Sequence, residues 1–145
     1  MSSLVEITRN FVGKNFLHCS PSINDGLDCF TLCTEYLKTK GAKFDRDQKF
    51  KGEYVFHYKD IYAKDKFATM EMAADFLSSI MAEVKKGYEI AGDILVMRMK
   101  KLGKNHPIHF GINAGNDQVI VAIRDQKIKV LQKKLFEVIK VLRWE

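Results

Sequence analysis

The feature that most constrains this chain is a change of hydrophobic period near Ala91. Before it, apolar residues recur at helical spacing; after it, they alternate in short runs bounded by turn residues. Leu4, Val5, Ile7, Phe11 and Val12 predict a short helix over 4–12 that ends at Gly13. Residues 29, 30, 32, 33, 36 and 37 mark the apolar face of a helix over roughly 28–40. Met70, Ala73, Ala74, Phe76, Leu77, Ile80, Met81 and Val84 predict a further helix from Thr69 to Lys86, with Gly87 as its stop signal. Strands are then expected over Asp93–Lys100, Ile108–Ala114, Gln118–Arg124, Lys127–Leu131 and 139–144. Lys101–Pro107 is a basic turn, Gly115-Asn116-Asp117 a hairpin turn and Asp125-Gln126 a further turn. Helices followed by a consecutive antiparallel sheet of about five strands make an α+β fold rather than an alternating β-α-β one. Between the helices, residues 42–66 show no clean period. Phe44, Phe50, Tyr54, Phe56, Tyr58 and Tyr62 are interleaved with Lys and Asp. Glu53–Tyr58 alternates like a strand, and the rest reads as a long excursion that anchors itself to the core and walls a groove.

A chain of 145 residues is large enough to bury one core, so residues 1–145 are read as a single domain. The net charge of +6 suits an anionic partner. The lysines are spread among acidic residues, however, with no block of five like charges. That pattern describes a generic basic surface rather than a nucleic-acid groove. No apolar run approaches the ~20 residues of a membrane span. Met1–Glu6 lacks the basic and apolar regions of a signal peptide, so the chain is expected to be made in the cytoplasm and carried to any external target by something else. The three cysteines, Cys19, Cys29 and Cys33, do not complete a disulfide framework. No Cys-x-x-Cys pair or His-x-x-x-His helix suggests zinc, and no other cofactor is called for. One reactive thiol and two packing thiols, kept reduced, is the simplest arrangement.

Chemistry concentrates in Asn24–Leu37, a polar Gly-containing loop that runs directly into a helix. Asp28 is placed to cap that helix, and Cys29 falls in its first turn. A thiol there feels the positive end of the helix dipole, which stabilises a thiolate nucleophile. A buried packing cysteine is the competing reading. The second element is His109-Phe110-Gly111-Ile112. On a pleated strand His109, Gly111 and Asn113 share one face, and the glycine leaves space that an imidazole facing a cleft would need. Taken alone, His109 reads as an ordinary strand histidine, like His106 nearby. A cysteine at a helix start with a histidine on a downstream strand is, however, the arrangement of papain-like thiol hydrolases. There a thiolate–imidazolium pair attacks a carbonyl, first-turn N–H groups hold the oxyanion, and the imidazolium protonates the leaving amine.

Over residues 10–144 the chain resembles NlpC-type cell-wall peptidases, of the variety found in phage tails. Gly26-Leu27-Asp28-Cys29 matches their helix-opening motif. Gly92-Asp93 matches the dipeptide that starts a strand, His109-Phe110-Gly111-Ile112 the histidine strand, and Gly115-Asn116 the hairpin after it. Phe30, where typical members carry Ser, fits the phage-tail subgroup. The resemblance implies a γ-D-glutamyl-diamino-acid endopeptidase acting on peptidoglycan stem peptides, incorporated in a tail or tail-like particle with other tail proteins. Cys29 would be the nucleophile and His109 the base, with Asp28 and the first-turn amides framing the oxyanion site. Phe16 or His18 would take the place of the family's upstream pocket aromatic. The departure is Val121. It occupies the place of the polar residue that usually orients the histidine, and its neighbours Ile120, Ala122 and Ile123 are apolar too. Orientation would then fall to Asn113, to a backbone carbonyl or to the 42–66 excursion. Failing that, the chain would be an inert wall-binding or structural tail protein. A different Cys–His acyl transfer on the same scaffold is the further alternative.

Overall fold

The computed structural model describes residues 9, 11–14, 28–123 and 126–145, excepting the side chains of 59–61. Most of the expected first helix therefore lies outside the described residues, as do Phe16, His18, Cys19, Gly26 and Leu27.

Helix α1 (Cys29–Thr39) is set by its own sequence at both ends. The Asp28 carboxylate accepts the Thr31 N–H at 2.8 Å, and the Thr31 hydroxyl accepts the Asp28 N–H at 2.9 Å, satisfying two donors that a helix start leaves unpaired. At the other end Gly41 adopts φ +101°, and the Ala42 N–H returns to the Leu37 carbonyl at 3.1 Å. Between these caps Cys29 to Thr34, Tyr36 and Leu37 are all buried, more than one apolar stripe would require. The cause is burial from two sides. Phe30 meets Phe110 of the sheet with ring centroids 6.1 Å apart, and Phe56, Tyr58 and Phe76 at 5.6–6.2 Å on its other flank. The aromatic-rich excursion thus packs on the core through its rings.

Within that excursion β1 (Lys49–Phe50) and β2 (Glu53–Tyr54) form a two-residue hairpin through Lys51 and Gly52, both at positive φ. The alternation over 53–58 therefore yields only this short ladder, detached from the main sheet. Helix α2 (Lys59–Lys64), unexpected from the sequence, follows. Helix α3 (Lys66–Ile80) comes next, started by Asp65, whose carboxylate accepts the Ala68 N–H at 3.0 Å. It starts and ends earlier than its apolar pattern suggests. Met81 leaves the helix in an extended conformation, and β3 (Ala82–Val84) pairs with the C-terminal strand. The apolar residues at 81 and 84 fit either period, and an open sheet edge decides between them.

The main sheet has six antiparallel strands in the order β3-β8-β4-β5-β6-β7. Strands β4 (Ile94–Met99), β5 (His109–Gly115), β6 (Gln118–Val121) and β7 (Lys129–Gln132) are the expected meander. Strand β8 (Phe136–Arg143) is longer than expected and returns to the far side of β4, between β4 and β3. Its register is pinned by Arg143, whose guanidinium grips the buried Asp93 carboxylate with two bonds of 2.8 and 2.9 Å. Asp93 also accepts the Ile90 N–H, so the Gly92-Asp93 dipeptide works as a structural lock at the start of β4. At the chain end, the Trp144 indole donates to the Lys40 carbonyl and ties the terminus to the end of α1. No described helix is long and apolar enough to cross a membrane.

The sheet has two apolar faces. Ile94, Val96, Phe110, Ile112 and Ile120 join α1 and α3 in the main core. Leu95, Met97, Val119, Val121, Phe136 and Val141 form a second layer opposite. Gly111 belongs to that second layer, and the open space expected over it is absent. A Cβ there would lie 2.7 Å from both Met97 Cε and Val119 Cγ2. The glycine lets two side chains close over the strand. Gly111→Ala is expected to cost about 1–3 kcal/mol by overpacking, read from urea-unfolding midpoints. Val119→Ala should cost less in that background than in the parent chain, because it removes one of the clashing methyls.

Candidate active site

Asp28 fixes the start of α1, and α1 presents Cys29 as its first residue. The start of β5 supplies His109, paired with Met97 on β4. Both side chains line one cleft of about 310 Å³ that opens between the helix start, the β4–β5 connection and the excursion. Tyr58 and Tyr62 of the excursion line it, as do Met70 of α3 and Ile123 beyond β6. The fold thus brings together the two residues that the sequence singles out for nucleophile and base.

The electrostatics differ from the sequence expectation. The Cys29 thiol is pushed up to about 12, first by burial and then by the neighbouring Asp28 carboxylate. Backbone N–H groups of Phe110, Cys29 and Phe30 face the sulfur and lower the value, but burial outweighs them. His109 is held below the usual histidine value by burial, with the charge of His106 adding to the effect. Both shifts favour the uncharged forms, thiol and neutral imidazole, over a thiolate–imidazolium pair. The helix-start amides do lower the thiol value, but desolvation outweighs them because only a little of the Cys29 surface (7%) meets solvent. Cys33, one turn on, is also buried and raised by that burial, as a packing thiol should be.

Asp28 does more than cap. Its second carboxylate oxygen accepts a hydrogen bond from the Tyr58 hydroxyl, thirty residues away in sequence. Sequence reasoning missed Tyr58. It stood among six interleaved aromatics with no period, and the only signal was the richness of that stretch in rings.

The place of the usual histidine orienter is apolar. Val121 pairs with Gly111 and is buried in the second layer. Asn113, an expected orienter, does not reach the cleft. Its backbone bonds to Asp93 and Gly92 at 2.7 Å, its side chain is buried, and its Oδ1 accepts no hydrogen bond. Asn113 therefore does not hold the His109 imidazole N–H, contrary to expectation. Among the described residues no hydrogen-bond partner sits on the His109 ring, and no three His, Cys, Asp or Glu side chains converge as metal ligands.

The architecture is that of NlpC/p60 domains. The NlpC/p60 domain of the peptidoglycan hydrolase SagA superposes with a TM-score of 0.58 over 97% of this chain and 95% of that one, at 16% sequence identity. Neither a protein-family model nor a curated sequence matches the chain.

The neutral pair has measurable consequences. Iodoacetamide at pH 7 should alkylate Cys29 on the order of tenfold or more slowly than an unfolded cysteine, read by mass spectrometry. His109, depressed in the fold, contributes stability that is present above the ordinary value of 6.5 and is lost as pH falls toward its lower folded value. Urea midpoints should therefore drop between pH 8 and pH 5, with a shallower drop in His109→Gln.

Proposed function

We propose that the chain is a thiol hydrolase that cleaves an amide bond in peptidoglycan stem peptides, of the γ-D-glutamyl-diamino-acid endopeptidase type, as a component of a phage tail or tail-like particle. The observation that carries this reading is Cys29 at the first position of a capped helix, sharing a cleft with His109, on the fold of a peptidoglycan hydrolase domain. The tail assignment rests on the sequence resemblance at Phe30, which here is a core ring.

The mechanism follows from the uncharged pair. As the thiol attacks the carbonyl, His109 takes its proton, so charge develops during the step instead of standing in the resting site. The Phe110 N–H and the first-turn amides already face the sulfur and are placed to stabilise negative charge that forms there. The imidazolium then protonates the leaving amine, and water resolves the acyl-enzyme through the same base. Tyr58 and Thr31 hold Asp28, which keeps the helix start and its amides in position.

A second reading is favoured by the apolar Val121 at the place of the usual orienter. If no polar group orients the ring, as none does among the described residues, the fold would serve wall binding without cleavage. Digestion of purified wall material separates the two. Cys29→Ala should abolish release of stem-peptide fragments, and His109→Gln should lower it by on the order of 10²-fold or more. Wall binding by the parent chain with no fragments released would select the inert reading.

A further inference from the structure

The cleft around Cys29 is more apolar than wall peptides alone would require. Beyond Cys29 and His109 it is walled by Met70, Met99, Leu102, Pro107, Ile108 and Ile123, which come from a helix, two strand ends and the β4–β5 connection. Among the described residues one carboxylate borders it, Asp28, and that group is engaged by Thr31 and Tyr58. The lining residues Lys66 and His106 are exposed. A charged group carried into the interior would lose its hydration, whereas methylenes would be removed from water against the Met, Leu, Pro and Ile side chains. A nucleophile that faces such a chamber meets the carbonyl at the end of an apolar chain.

We propose that the cleft takes an uncharged aliphatic acyl group, and that Cys29 removes such groups from esters, thioesters or amides. In the first step the Cys29 Sγ–acyl carbon bond forms and the bond from that carbon to the leaving heteroatom breaks. The thiol proton passes through His109 to the leaving group. In the second step water adds its oxygen to the acyl carbon, the sulfur–carbon bond breaks, and the water's proton returns to sulfur through His109. No oxidant, reductant or cofactor is needed. The inference rests on Cys29 being the nucleophile and is independent of whether wall peptides are also cut.

The test is a chain-length series of p-nitrophenyl esters, from acetate through butyrate and hexanoate to octanoate. The expected result is a kcat/KM that climbs along the series, by up to about fourfold per methylene where burial is complete. Butyrate should also be preferred to the mono-p-nitrophenyl ester of succinate, whose acyl tail is charged. Mass spectrometry should find the acyl group on Cys29, and Cys29→Ala should abolish turnover. Leu102→Asp, at a half-buried turn where folding can be checked by circular dichroism, should flatten the chain-length dependence. A flat or falling series, or equal use of the succinate ester, alongside Cys29-dependent turnover of acetate or wall peptide, would overturn the acyl-chain proposal and leave the hydrolase reading standing. No Cys29-dependent turnover of any ester or wall peptide would overturn both.

Discussion

The structure depends on the burial of α1 from two sides, and Phe30 is where those sides meet. Its ring touches Phe110 of the sheet, Phe76 of α3 and the aromatic anchors Phe56 and Tyr58 of the excursion. Such rings carry large apolar area and add edge-to-face attraction to it, so one residue joins three elements that have little local reason to associate. Cys29 and Asp28 immediately precede this hub. Their positions follow from the core and not from the cleft, which is why a cysteine at a helix start can be both structurally fixed and chemically addressed.

That placement has an electrostatic cost. Seating the helix start deep in the core takes the thiol out of water and puts it beside the Asp28 carboxylate, and both effects oppose its ionisation. The amides that face the sulfur oppose this without reversing it. The same burial keeps His109 neutral. A site built this way stores no ion pair at rest and must generate charge during reaction. It also suits an uncharged acyl group better than a highly charged one, since every charge brought inside would share the penalty the thiolate already meets.

Much of this was legible in the residues. The Asp28 cap and the Gly115–Asp117 hairpin are local devices whose signals lie within a few positions, and each appears where expected, whereas the return bond from Thr31 was not foreseen. The meander from β4 to β7 was legible for the same reason. The errors fall where distant partners decide. Residues 82–84 left the helical pattern because β8 offered an edge, Tyr58 reached Asp28 across thirty residues, and Gly111 was filled by Met97 and Val119 from adjacent strands. Asn113 shares a strand with His109, yet two residue pairs of distance along β5 take it out of the cleft.

By itself, then, the sequence determined the α+β class, the capped helix with Cys29 at its start and the strand that carries His109, because these follow from period and from hydrogen bonds made within a turn. The apolar character of Val121 was also plain, and with it the lack of a polar support at that position. Only the tertiary structure decided that the two candidate residues share a cleft, that the cleft is walled by methionine and aliphatic side chains, and that the pair rests uncharged. Desolvation is the physical reason: it is set by how much chain from other elements surrounds a group, and no stretch of sequence around Cys29 or His109 carries that quantity.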